Sequence, residues 1–217
     1  MITEDLPPEA MVALGYAPRA HRSLFELFLS LDRNLARSVA GASEPIVGQL
    51  RLAWWRDALG SDDGTLPAGN PLLDAIAASF GSERRSLAKL VDGWEAFLLA
   101  DPVDGDGAQA FAAGRAAGWL AVARKCAVHA DTEAIEVAAR RWALAELADN
   151  IDSAAGRDTI MTAADHLTGP TVALPRELRP LAVLDALARR AIARGGGPLL
   201  ADRGSALVAL RAGLLGR

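Results

Sequence analysis

Asp149 and Asp152 stand i, i+3 in ALAELADNIDSAAGRD, with Glu146 about one turn before them. Carboxylates three or four residues apart on a helix lie on one face. Such a set can hold a hard cation such as Mg²⁺, which binds through oxygen. The same spacing also describes the exposed acidic end of a helix, and the residues alone leave both readings open. Other patterns carry less. DPVDGDG, at 101–107, lacks the later bidentate glutamate and the full ligand spacing of a calcium loop. SDDG, at 61–64, reads as a solvated loop. His21, His129 and His166 are far apart and show no metal spacing. Cys126 sits among alanines and valines and reads as a small buried hydrophobe. No glycine-rich phosphate loop and no nucleophile elbow occurs.

The elements that must position these acids are helical. Hydrophobic residues make up 51% of the 217 and aromatics only 5%, with alanine supplying much of the apolar content. Ala, Leu, Arg and Glu favour helix, and one domain, 1–217, is the expected organisation. The formal net charge is −4, and Lys89 and Lys125 are the only lysines. No basic block marks a nucleic-acid binder. The opening MITEDLPPEA is acidic and lacks the apolar stretch of a signal peptide. The most apolar window, AQAFAAGRAAGWLAVARKCAV, is interrupted by Arg115 and Arg124, so it reads as a buried helix and not a span. A cytoplasmic protein is expected, with peripheral membrane contact left open by an apolar substrate.

Periodicity predicts a first helix over about Arg19–Val39, with Leu24, Phe28, Leu31 and Leu35 on its inner stripe. Ser43 is the expected cap of the next helix, with Pro45 in an early position and Ile46, Leu50, Ala53 and Trp54 along one side. Further helices are expected over about 71–80, 82–98, 108–129, 132–153, 180–194 and 205–215, with a short helix and then a loop in RDTIMTAADHLTGPTVALP. TVAL could be a strand only in isolation.

The stretch SEPIVGQLRLAWWRDAL places Trp54 and Trp55 between Arg51 and Arg56. Adjacent rings on a helix cover a wide arc, and core packing is their ordinary use. The whole string nevertheless resembles a segment of the squalene/phytoene synthase family, particularly its short bacterial members. Glu44, Pro45, Gly48, Arg51, Leu52, Trp54, Trp55, Arg56 and Leu59 carry the match. HRSLFELFLSLDRNLAR and LPRELRPLAVLDALARRAI are looser echoes. The resemblance implies an all-α, single-domain bundle around a central cavity, of the isoprenoid-synthase type. The family condenses two prenyl diphosphates head-to-head, using Mg²⁺ held by two aspartate-rich motifs on facing helices.

Set against that pattern, ARSVA at 36–40 occupies the first motif's place without one acid, and Asp32 lies about a turn early. The second motif falls on Asp149 and Asp152, but no register keeps every family position. Arg37 stands where an aspartate is expected and is predicted to pair with Asp149 or Asp152. Arg51 and Trp55 join Arg37, Asp149 and Asp152 as candidates for the cavity. Two functions follow. The first is a non-catalytic binding or accessory protein without a metal cofactor, similar to family members that assist respiratory complex assembly. Its partners would be a prenyl diphosphate or other apolar ligand and a protein. The second is an active prenyltransferase with Mg²⁺ on Asp149 and Asp152, recruiting Glu146 or Asp32.

Overall fold

The computed structural model describes residues 6–42, 44–62, 66–100, 103–167 and 173–216. The helices are α1 (Pro8–Gly15), α2 (Arg22–Ala40), α3 (Pro45–Gly60), α4 (Pro71–Phe80), α5 (Ala88–Leu99), α6 (Gly105–Lys125), α7 (Thr132–Asp149), α8 (Ala154–Asp165), α9 (Arg179–Ala193) and α10 (Arg203–Leu215). A 3-10 turn, Gly81–Leu87, joins α4 to α5. No strand occurs among the described residues. The expected all-α bundle is therefore what the chain forms. Ser43, Thr171, Val172 and parts of the SDDG and DPVDGDG loops lie outside the described residues.

α6 is the central helix, packed between α5 and α7. Asp104 caps it, its side chain accepting from the Gly107 N–H at 2.7 Å. Alanine and glycine line much of its length, so neighbouring backbones come close. A Cβ on Gly114 would lie 2.7 Å from the Lys89 carbonyl oxygen and 2.8 Å from the Gly93 Cα. Both obstacles are backbone, so α5 and α6 would have to separate. Gly114→Ala is expected to cost about 2 kcal/mol, within the range for overpacking, and chemical denaturation measures it.

The inner stripe of α2 forms as its periodicity predicts, with Leu24, Phe28, Leu31 and Leu35 all buried. Phe28 meets Trp119 of α6 edge-on at 5.1 Å, and Trp119 meets Trp142 of α7 at 6.0 Å. This aromatic row fixes α2, α6 and α7 around one centre.

Three expectations need correction. α1 has no counterpart in the helices predicted above. It is short and no side chain caps it, yet Ala10, Ala13 and Leu14 are buried, and it packs on α9 and α2. α3 begins on Glu44, in the cap position without a side-chain cap bond, and Pro45 follows. The buried face of α3 is Gly48, Leu52, Trp55, Ala58 and Leu59, whereas Ile46, Leu50 and Trp54 face outward. Finally, α7 stops at Asp149 rather than Ser153. The Asn150 amide donates to the Glu146 carbonyl at 2.8 Å, and Ser153 caps α8 through Gly156 N–H. Asp152 is thus off the helix and does not share a helical face with Asp149.

Candidate functional site

A cavity of about 300 Å³ opens among α1, α2, α5, α6 and α7. Leu29, Val39, Trp94, Phe97, Phe111 and Leu147 give it apolar walls, and Ala10 and Ala36 leave it room. Its inner end is ionic. Arg115 of α6 is buried, and its guanidinium grips Asp32 of α2 side-on, Nη2–Oδ2 at 2.7 Å and Nε–Oδ1 at 3.2 Å. Its Nη1 donates to Oε2 of Glu146 on α7. Trp94 Nε1 donates to Asp32 Oδ1 at 2.8 Å. The guanidinium carbon also lies 4.4 Å from the centre of a Trp142 ring and 4.8 Å from that of Phe111.

The arrangement follows from position in the sequence. Asp32 stands four residues after Phe28 and three before Leu35, both buried, so it lies on the inward side of α2. Glu146 lies one turn before the end of α7. Arg115 sits midway along a helix whose other inward residues are small or apolar. A buried charge is strongly unfavourable unless paired, and each of these three is paired by the others. Burial disfavours the Arg115 charge, but Asp32 and Glu146 outweigh it and raise its pKa. Burial raises the pKa of Glu146 against the pull of Arg115, and the Asp32 charge adds to the rise. One buried guanidinium faces two carboxylates, and Arg33 nearby offsets part of the excess negative charge without reversing the upward direction.

That shift has a pH consequence. The folded protein protonates Glu146 at a higher pH than the unfolded chain, where glutamate titrates near about 4.3. Between the two values the folded state binds the extra proton. Stability is therefore highest below the unfolded value and is lost as pH rises through the folded one. Burial raises Glu9 and Asp185 as well, in the same sense. Asp202 acts oppositely. Hydrogen bonds from the Ser205 backbone and Arg190 hold its pKa at about 2, so its contribution disappears only in strong acid. Glu146→Gln is expected to flatten the decline in stability between mildly acidic and mildly alkaline buffer, and to be better tolerated than Asp32→Asn. Urea midpoints across that range test both statements.

The residues singled out from sequence are placed differently from one another. Arg37 lines the cavity, is exposed, and stands one turn along α2 from Arg33 at the rim. No ion pair joins it to Asp149 or Asp152 among the described residues; both acids are exposed and neither lines the cavity, so the predicted pairing does not form. Arg115, one helix over, makes the bridge instead, and to Asp32 and Glu146. Arg51 is exposed and caps the end of α2, donating to the Gly41 carbonyl at 3.3 Å. Trp55 is buried and Trp54 is 40% exposed, their rings edge-to-face at 5.0 Å. Neither Arg51 nor Trp55 lines this cavity; with Leu50 and Trp54 they border a separate hollow between α2 and α3. Arg56 faces α5, bridging Asp92 at 2.7 Å and Glu95 at 2.6 Å.

Mg²⁺ requires a near-octahedral shell of oxygens at about 2.0–2.1 Å. The carboxylates that converge on the cavity, Asp32 and Glu146, are bonded to a guanidinium, whose charge would repel a second cation. Asp149 and Asp152 lie outside. Among the described residues, no group of three or more His, Cys, Asp or Glu is placed to hold a metal. The described residues do not fit a Mg²⁺–diphosphate centre.

Arg115 is the site residue that the sequence reading did not select. Its signal was visible as a charge in the middle of a helix read as buried. Such a residue demands partners of opposite charge, and Asp32 and Glu146 were the acids at hand on neighbouring helices. No protein-family model, no curated protein and no solved structure matches the chain.

Proposed function

We propose that this protein binds an amphiphilic ligand in a prenyl-synthase-like bundle without metal-assisted ionisation. The observation that carries the reading is Arg115, fixed between Asp32 and Glu146 at the inner end of the cavity. A prenyltransferase needs such carboxylates to hold Mg²⁺ against the departing diphosphate. Here a permanently protonated side chain takes that place. The apolar walls suit an isoprenoid or similar chain, and Arg33 and Arg37 at the rim suit an anionic head such as a diphosphate. The volume is at the lower end of ordinary ligand pockets, about 300–1,000 Å³.

The family reading rests on the Glu44–Leu59 segment. It brings with it the role of a non-catalytic or accessory protein that presents or senses its ligand to a protein partner, as in respiratory complex assembly.

The test follows Trp94 and Trp142 fluorescence during titration with a prenyl diphosphate and with the corresponding prenyl alcohol. Saturable changes with both ligands, the diphosphate binding more tightly, are expected. Ala36→Phe should fill the cavity and abolish both. A condensation product formed only with Mg²⁺ would overturn the proposal, as would unaltered titrations in the Ala36→Phe variant.

A further inference from the structure

Residues 176–217 contain eight arginines and three acids, a balance of +5, in a chain whose net charge is −4. The remaining 1–175 hold 15 basic and 24 acidic residues, a balance of −9. α9 and α10 therefore form a cationic end on an otherwise acidic molecule. α10 itself, RGSALVALRAGLL, contains no acid.

The same helix is exposed where it is most apolar. Leu207 is 67% exposed, Leu210 47% and Leu214 65%. They recur at i, i+3 and i+7, so they form one stripe on the side opposite the buried Ala209 and Ala212. Arg203 and Arg211 flank this stripe. Both are exposed, and neither makes an ion pair among the described residues. Arg211 also borders a groove with Arg190 and Arg194 of α9, where Asp202 is the acid that meets those two. A second outward stripe, Ile46, Leu50 and Trp54 on α3, has one exposed arginine, Arg51, which is turned to the Gly41 carbonyl, and has Glu44 and Asp57 exposed beside it, so its setting is not cationic.

We infer that the outer face of α10 docks on an anionic lipid surface, with the leucines at the headgroup–acyl boundary and the arginines on lipid phosphates. An amphipathic helix of this kind binds through buried apolar area together with attraction to anionic lipid. Each arginine near such a surface adds about 1 kcal/mol, about fivefold in partitioning. The inference does not depend on the cavity or its ligand. No helix among the described residues is long and apolar enough to cross a membrane, so the contact is in the plane of the interface.

Co-sedimentation with phosphatidylcholine vesicles, with and without phosphatidylglycerol, tests it. Binding that requires the anionic lipid and weakens with salt is expected. Arg203→Glu with Arg211→Glu should lower partitioning by about 25-fold or more. Leu207→Asn with Leu214→Asn should lower it by more than about tenfold. Leu50→Asn with Trp54→Asn, a loss of two exposed apolar side chains on α3, should leave it unchanged. Circular dichroism confirms that each variant stays folded. Equal binding to neutral vesicles, no binding at low salt, or unaltered binding in both α10 variants would overturn the inference. So would leucine-dependent self-association in the ultracentrifuge without vesicle binding, which would assign the face to a second copy of the chain.

Discussion

Arg115→Met is expected to destabilise the protein by about 3–5 kcal/mol, the range for removing one partner of a buried ion pair. The methionine keeps much of the side chain's apolar bulk, so the loss is electrostatic. Asp32 and Glu146 would face each other with no cation between them. Asp32 would retain only the Trp94 bond at 2.8 Å. Glu146 would take up a proton, since its pKa is already raised by burial. The cost should therefore be larger in alkaline than in mildly acidic buffer. Neutralising all three, with Asp32→Asn and Glu146→Gln added, should recover most of the loss, because apolar or neutral groups tolerate burial where unpaired charges do not. Urea unfolding of the single and triple variants measures the difference. Equal stability of Arg115→Met and the parent would contradict the assignment of Arg115 as the ion that holds α2, α6 and α7 together.

Arg141→Met should give the next largest loss, about 3 kcal/mol. Arg141 of α7 is buried and meets Asp185 of α9, Nε–Oδ1 at 2.7 Å and Nη2–Oδ2 at 3.3 Å. It also donates to the Leu167 carbonyl at 3.2 Å. The expected value is at the low end of the range because Arg189 still faces Asp185 at 3.2 Å. This pair does not line the cavity. Arg141→Met should thus weaken the fold while leaving ligand titration unchanged at temperatures where the variant is folded. Arg115→Met should alter both. The contrast separates a structural ion pair from one that also shapes a site, and thermal melts beside fluorescence titrations read it.

Much of the bundle was legible in the chain. The stripe through Leu24, Phe28, Leu31 and Leu35 required a helix with one buried side, and α2 has it. The Ala- and Gly-rich run through Gly114 required a helix enclosed by others, and α6 is that helix. Periodicity failed where tertiary contacts decide. The α3 stripe of Ile46, Leu50 and Trp54 has helical spacing, but the competing stripe through Leu52, Trp55 and Leu59 is the one that α5 and the 3-10 turn cover. Local capping decided the end of α7, where Asn150 and Ser153 break the helix between the two aspartates that spacing had joined. The site was half visible. Asp32 and Glu146 stand near the positions where the family pattern expects acids, and the sequence predicts an arginine, Arg37, paired with an acid there. The family pattern points to Arg37 on α2, which stands where that pattern expects an acid, because such a pattern compares like positions. Arg115 answers a different constraint. A charge enclosed on all sides must be met by opposite charge, whichever helix brings it.

The central proposal is that the cavity beside Arg115, Asp32 and Glu146 binds its ligand without a metal. The most direct measurement is the melting temperature with a prenyl diphosphate, in the presence and absence of Mg²⁺. A ligand that binds only the folded state raises that temperature; at a hundredfold excess over Kd the stabilisation is about 2.7 kcal/mol. The account predicts the same rise with and without Mg²⁺. A rise that appears only when Mg²⁺ and diphosphate are both present would contradict it and would show a metal-dependent diphosphate site.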